Sequence, residues 1–424
     1  MIEKKHHKAK SFFTLLLVLM PIINQYQLFS LTCWEIYATI LVIYGILNTK
    51  GKITISMDRM YVYFCVYICI GYLCSIMFYP DLQISTAILR LLKFIIVSIA
   101  IIAVVYRYIF DINIVKKYYR YVLLIVSGLL IIQLVAYYIL GRQIYPIIPN
   151  LILNYNDGIN STQYINSNIS QIAGGYYFRP SSVFIEPAHY ALFALPGIIL
   201  ELFEDNFSKK NMIFASIFTV CVILTTSSMA LMGCAICWFL FIMKRKDLWK
   251  RKFTWMSSMV TVAIPIAIYY LLQNSAVITT IGIKLAGLNN LSESSSTSLR
   301  LVRGLQYYRN MGGIQQLFGV GYGNLTAYYL KSRMDILGFG KIGQASYMNG
   351  FSTILCSFGV VGFVLFLGAM FRMYKKSDLI GKTMIIVFCV SMMICDMFDS
   401  VIYYLFLIVM VMLLHRGDIS IKCR

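Results

Sequence analysis

Arg179, Glu186 and His189 fall within eleven positions, in residues 176–190 (YYFRPSSVFIEPAHY). A guanidinium, a carboxylate and an imidazole are groups from which anion binding and general acid–base catalysis are assembled. Elsewhere in the chain, charges almost always avoid the apolar stretches, so the cluster stands out. A second cluster, residues 298–324 (SLRLVRGLQYYRNMGGIQQLFGVGYGN), carries Arg300 and Arg303, whose spacing puts them on one helix face. With Arg179 they offer three guanidinium forks, each able to hold phosphate oxygens through paired hydrogen bonds. Arg90 and Lys93, one helical turn apart near the outer end of an apolar stretch, would extend the same positive site. Charges inside a span are costly and usually face a cavity or a partner. The plainer alternatives are snorkelling of Arg90 and Lys93 to the headgroups, and pairing of the loop arginines with Asp157, Glu186, Glu293 and Asp335.

The elements that must position these groups are apolar. Hydrophobic residues make up 59% of the 424 and charged residues 13%, and the mean hydropathy is +0.75. A soluble domain is nearer half apolar and a quarter charged. The expected fold is therefore all-α and polytopic in a membrane, with one integral membrane domain over residues 1–424. Runs of about 20 apolar residues span a bilayer. Twelve such spans are predicted near 12–30, 33–48, 61–79, 86–106, 121–141, 189–203, 211–226, 229–243, 253–272, 347–370, 383–398 and 401–415. The pair around residues 225–228 (TTSS) is read as two segments, since one long span would reverse the sidedness of everything after it.

The net charge of +20 invites a nucleic-acid reading, which the placement of the charge excludes. Twelve spans put 26 of the 37 Lys and Arg in the tails and the short inward gaps, as the positive-inside rule requires. Both termini are then cytoplasmic. Two long loops, 142–188 and 273–346, face outward, and both are rich in Asn, Ser, Gly and Tyr. Loops of this length are usually functional or disordered. The two clusters lie in them and are expected to meet over one site on the outer face.

In the second loop, 278–288 and 299–305 read as short amphipathic pieces. Gly319, Gly321 and Gly323 then mark an irregular turn with no phosphate-loop signature. Cys234 and Cys237 have metal-site spacing, but they sit in mid-span with no second pair and no histidine near. They read as small core side chains, and no metal site or cofactor is implied.

Three stretches, in order, resemble the bacterial O-antigen and capsular polysaccharide polymerase family, which is related to the O-antigen ligases. Residues 179–191 (RPSSVFIEPAHYA) resemble the arginine to Glu-Pro segment that closes that family's first large loop. Arg303 followed by fifteen residues and Gly319 resembles its Arg-x15-Gly pattern, and residues 318–324 (FGVGYGN) its Gly-x-Gly turn. Ligases carry a His-Asn pair where the last loop enters the next span; here that place reads Met348-Asn349, which favours polymerase over ligase.

The resemblance implies a GT-C-like glycosyltransferase in the bacterial inner membrane, working without a nucleotide sugar. It would transfer a growing glycan from undecaprenyl diphosphate onto another lipid-linked repeat unit. Partners would be that lipid-linked oligosaccharide, membrane lipid and a chain-length regulator. Arg179, Arg300 and Arg303 would clamp the diphosphate, with Arg90 and Lys93 behind them. Glu186 and His189, i and i+3 if a helix begins near Pro187, are the candidate bases. The competing classes are a lipid-linked oligosaccharide flippase and an O-antigen ligase. A flippase would show charges spread over several spans and pseudo-symmetric halves.

Overall fold

The computed structural model describes residues 2–28, 31–48, 57–78, 84–100, 109–144, 169–172, 175–204, 208–244, 296–321, 323–325, 328–329 and 348–414. The predicted span 253–272, the piece 278–288 and much of the first long loop lie outside them. The described residues are mostly helical, with several irregular turns and two short β-hairpins. These are β1 (Gln27–Leu28) with β2 (Leu31–Thr32), and β3 (Ile169–Ile172) with β4 (Gly175–Phe178), both antiparallel.

The chain forms two compact units. One comprises Met1–Phe13, Trp34–Asp111 and Leu291–Arg424, the other Thr14–Cys33 and Ile112–Asn290. Helix α1 (Ile2–Ile23) contributes to both. Among the described residues, two helices are long and apolar enough to cross a membrane, α5 (Ile112–Tyr138) in the second unit and α11 (Gly350–Lys376) in the first.

The second unit also holds α6 (Pro187–Leu202), α7 (Lys209–Leu224) and α8 (Ser228–Lys244). Helix α6 is buried from Tyr190 to Leu202, as a helix apolar all round must be. Tyr119 of α5 stacks on Phe193 at 5.0 Å and donates its hydroxyl to the Phe193 carbonyl at 2.5 Å. The TTSS stretch divides two helices, as the two-segment reading expects: α7 ends at Leu224, Thr226 takes φ 51° and α8 starts at Ser228.

The first unit holds α2 (Cys33–Asn48), whose first residue belongs to the second unit, with α3 (Arg59–Phe78), α4 (Ile84–Ile99), α9 (Ser296–Arg309), α10 (Gly313–Phe318), α11, α12 (Leu379–Ile394) and α13 (Val401–Leu414). Phe64 of α3 packs on Phe358, Phe366 and Phe398 at 5.4–6.4 Å. Asp58 accepts from the Met60 N–H at 3.0 Å, and takes Lys376 at 2.9 Å and Arg372 at 3.2 Å. Burial alone would raise its carboxyl, but Lys376, the Met60 amide and Arg372 outweigh burial and hold it below the usual aspartate range. This clamp sets the start of α3 beside the end of α11, so the two run antiparallel.

Helix α11 is broken at Gly359, whose φ of 65° and ψ of −171° open to glycine alone. Gly319, just past the end of α10, has nearly the same conformation, φ 79° and ψ −177°. The two lie in identical tripeptides, Phe318-Gly-Val and Phe358-Gly-Val, which cross each other reciprocally. A Cβ on Gly319 would stand 2.2 Å from the Ser357 carbonyl oxygen, and one on Gly359 2.2 Å from that of Leu317. The break in α11 exposes the carbonyls of Cys356 and Ser357, and the amides of Val320 and Gly321 donate to them at 3.2 and 2.8 Å. The Tyr67 hydroxyl lies 3.0 Å from both the Phe318 and the Phe358 carbonyls.

Among the described residues, apolar side chains remain exposed in stripes along several helices, and those on α3, α5 and α11 bear on the membrane setting. They are Tyr63, Val66, Ile70 and Leu73 on α3, Tyr121, Ile125, Leu129 and Ile132 on α5, and Val360, Val364, Leu367 and Phe371 on α11.

Candidate functional site

The first cluster lies in the second unit, on a segment held by two glutamines. Gln133 of α5 accepts from the Ser182 amide at 2.7 Å and donates to the Ser182 carbonyl at 2.8 Å. Gln25 accepts from the Ile185 amide at 2.6 Å and donates to the Val183 carbonyl at 3.0 Å. Each carboxamide thus pairs with backbone as a neighbouring strand would. The Ser182 hydroxyl adds a bond to the Val126 carbonyl at 2.5 Å. Such pairing lets irregular backbone be buried, since unmatched peptide groups there cost several kcal/mol, roughly. Ser181, Ser182, Phe184 and Ile185 are all buried, and Ser182 sits at φ 57°.

Arg179 and Glu186 stand at the two ends of this segment. The Arg179 Nε donates to the Thr226 hydroxyl at 3.1 Å and the Thr225 carbonyl at 3.4 Å. The buried turn between α7 and α8 thus orients the guanidinium, which remains half-buried. Glu186 occupies the N-cap of α6 in extended conformation, and its side chain does not cap the helix. Pro187 follows at the first helical position, where a missing N–H costs nothing. The His189 amide donates to the Glu186 carbonyl at 3.0 Å, so Glu186 and His189 flank the first turn. Both are partly accessible.

The first unit holds the other candidates. Arg303 is 5% exposed in α9, a helix that presses on the start of α11. The contact is close: a Cβ on Gly304 would meet Ser352 Cβ at 2.2 Å. Arg300 lies one turn earlier on α9, its side chain outside the described residues. Gln316 of α10 donates to the carbonyls of Tyr308, Arg309 and Met311 at 3.0–3.2 Å, capping the end of α9. Tyr307 stacks on Tyr329 at 4.2 Å.

Arg90 is exposed on α4, and its Nη1 donates to the Gly323 carbonyl at 3.2 Å, tying that helix to the glycine-rich turn. Lys93 instead pairs with Glu35 of α2 at 3.0 Å. Cations i and i+3 on one helix thus take different partners. Asn349 caps α11 by accepting from the Ser352 amide at 2.8 Å.

No family model and no curated protein matches the chain.

Several residues that build these sites were not singled out by sequence reasoning. Gln133 is an amide within an apolar run, and that anomaly was the available signal. Asp396 accepts from the Thr353 hydroxyl at 2.8 Å, and Asp399, at φ 61°, accepts from that of Tyr404. In the second unit Arg120 grips Glu201 through two bonds of 2.6 and 2.7 Å. Asn211 donates to Glu201 at 3.0 Å and also to Glu204. Arg120 reads in the sequence as a topology-setting charge, yet it is half of a largely buried ion pair. Chemically, the second unit offers one oriented guanidinium with a carboxylate and an imidazole at a helix start. The first offers a buried guanidinium on a helix whose following turn is held by a second, exposed one.

Proposed function

We propose that this chain is a multi-pass glycosyltransferase of the inner membrane, with about twelve spans and both termini cytoplasmic. It polymerises a surface polysaccharide by moving a glycan from undecaprenyl diphosphate onto a second lipid-linked repeat unit. The observation that carries the reading is the Arg90–Gly323 bond. It links an arginine from an apolar helix to the loop whose helix buries Arg303, as a cationic diphosphate site would need. The exposed apolar stripes on α3, α5 and α11 support the membrane setting, because patches of that extent call for an apolar partner.

In the proposed reaction the anomeric C–O bond breaks and its electron pair passes to the diphosphate. Arginines holding the diphosphate would stabilise that charge as it forms. The acceptor hydroxyl attacks the anomeric carbon and gives its proton to a general base. No nucleotide sugar takes part, because the diphosphate is its own leaving group.

The test is surface-glycan length in a deletion strain complemented with wild type or with Arg303→Ala. The expected result is a ladder collapsed to single capped repeats, restored by wild type and not by the variant. Loss of one charge-stabilising group should cost about 10²–10³ in turnover. If deletion instead removes all surface glycan while lipid-linked units accumulate inside, the chain is a transporter.

A further inference from the structure

Helix α10 is built inside out for a loop in water. Its Gln316 amide turns inward to three carbonyls at the end of α9, while Ile314, Leu317 and Phe318 are 73%, 51% and 55% exposed. Its end and the next three residues cross α11 at the glycine break, with amides 320 and 321 bonded to carbonyls 356 and 357.

The level of that crossing follows from the helix. Gly359 lies nine residues from the start of α11 and thirteen from Arg372, which meets Asp58 at the charged end. At 1.5 Å per residue these are about 14 and 20 Å. A hydrocarbon layer about 30 Å thick, wherever it sits along α11, includes Gly359. On α3, Tyr67 bonds the crossing from between Val66 and Ile70, both exposed and apolar, so the end of α10 lies beside that stripe.

We propose that residues 313–321 form a re-entrant element at hydrocarbon depth, with Ile314, Leu317 and Phe318 against the acyl chains of the bilayer. Non-helical backbone survives at that depth only where protein covers it or where it lines a water-filled cavity. The reciprocal glycine crossing supplies that cover, and Tyr67 bonds the adjoining carbonyls. This rests on the membrane reading above and not on glycosyl transfer. It also revises the second loop, which in the sequence reads as wholly external.

The experiment places a nitroxide at Ile314→Cys, and separately at Leu317→Cys, in the full-length protein in phospholipid vesicles. Other accessible thiols are replaced by serine, and Ile125→Cys on α5 is the reference. Accessibility is read with dissolved oxygen, which concentrates in hydrocarbon, and with a water-soluble nickel chelate. Oxygen should dominate at 314 and 317 by several-fold, as at 125. Nickel dominance at 314 and 317 with oxygen dominance at 125 overturns the re-entrant element alone. Exclusion of both reagents at 314 and 317 overturns it in favour of cover by protein, such as a second copy. Nickel dominance at all three sites refutes the membrane reading itself.

Discussion

Replacing Gly359 with alanine should be among the most damaging single-methyl changes this chain can suffer. Two costs combine. A non-glycine residue at φ 65° and ψ −171° is strained by about 1–3 kcal/mol. Its Cβ would also stand 2.2 Å from the Leu317 carbonyl oxygen and 2.3 Å from the carbonyl carbon, both backbone atoms and not the end of a flexible side chain. Relieving that overlap costs about 1–3 kcal/mol more. The expected destabilisation is about 2–6 kcal/mol, several degrees in melting temperature.

Gly71→Ala is the matched control. It lies inside α3 with nothing within 4 Å of its would-be Cβ, so alanine should stabilise by about 0.5–1 kcal/mol through helix propensity. A thiol-reactive dye suits the assay, because Cys356 is fully buried beside the crossing and opens with it. Equal melting of the two variants in detergent would refute the crossing.

Gln133→Ala should lower the melting temperature by removing both bonds to Ser182, with about 1–3 kcal/mol for each buried group left unmatched, and should speed proteolysis between residues 179 and 186. Glu201→Gln should cost about 1.5–3 kcal/mol by weakening the paired bonds with Arg120, read in the same melt. Asp58 carries a depressed pKa, so its contribution is complete above the unfolded value near 4, roughly, and is lost as pH falls through the folded value. The melting difference between wild type and Asp58→Asn should therefore shrink below pH 4, approximately. It should be about 1 kcal/mol or less at neutral pH, since Arg372 and Lys376 are half exposed.

Much of the helix layout was legible, because long apolar runs leave backbone little choice but to bond to itself. The division of α7 from α8 at residues 225–228 was expected from the sidedness of the later segments. Its physical cause lies in Thr225-Thr226-Ser227-Ser228, residues that compete with a helix for its own hydrogen bonds. The glycine-rich turn was legible as irregular, and the start of α6 could be read from Pro187. Partners were another matter. Nothing local to Gln133 names Ser182, forty-nine positions on, and nothing near Arg90 names Gly323. The break in α11 was hidden because Gly359 lies in an unbroken apolar run, where a glycine reads as helix. The repeated Phe-Gly-Val was visible, but its meaning arises only when the two copies meet. Helix α9 was foreseen as a short amphipathic piece, but not the depth to which it buries Arg303.

The two glutamines hold peptide groups, and this bears on how the segment can change over generations. Gln25 and Gln133 take the N–H and C=O groups of residues 182, 183 and 185, so these bonds impose nothing on the side chains of Val183 or Ile185. The path of the segment is inherited from neighbouring elements, while Arg179, Glu186 and His189 are mounted at its ends and just beyond. Substitutions at those three positions leave the glutamine bonds to the backbone in place. It is a fixed frame with exchangeable contents, and variation there would be tolerated by the fold before it was judged by function.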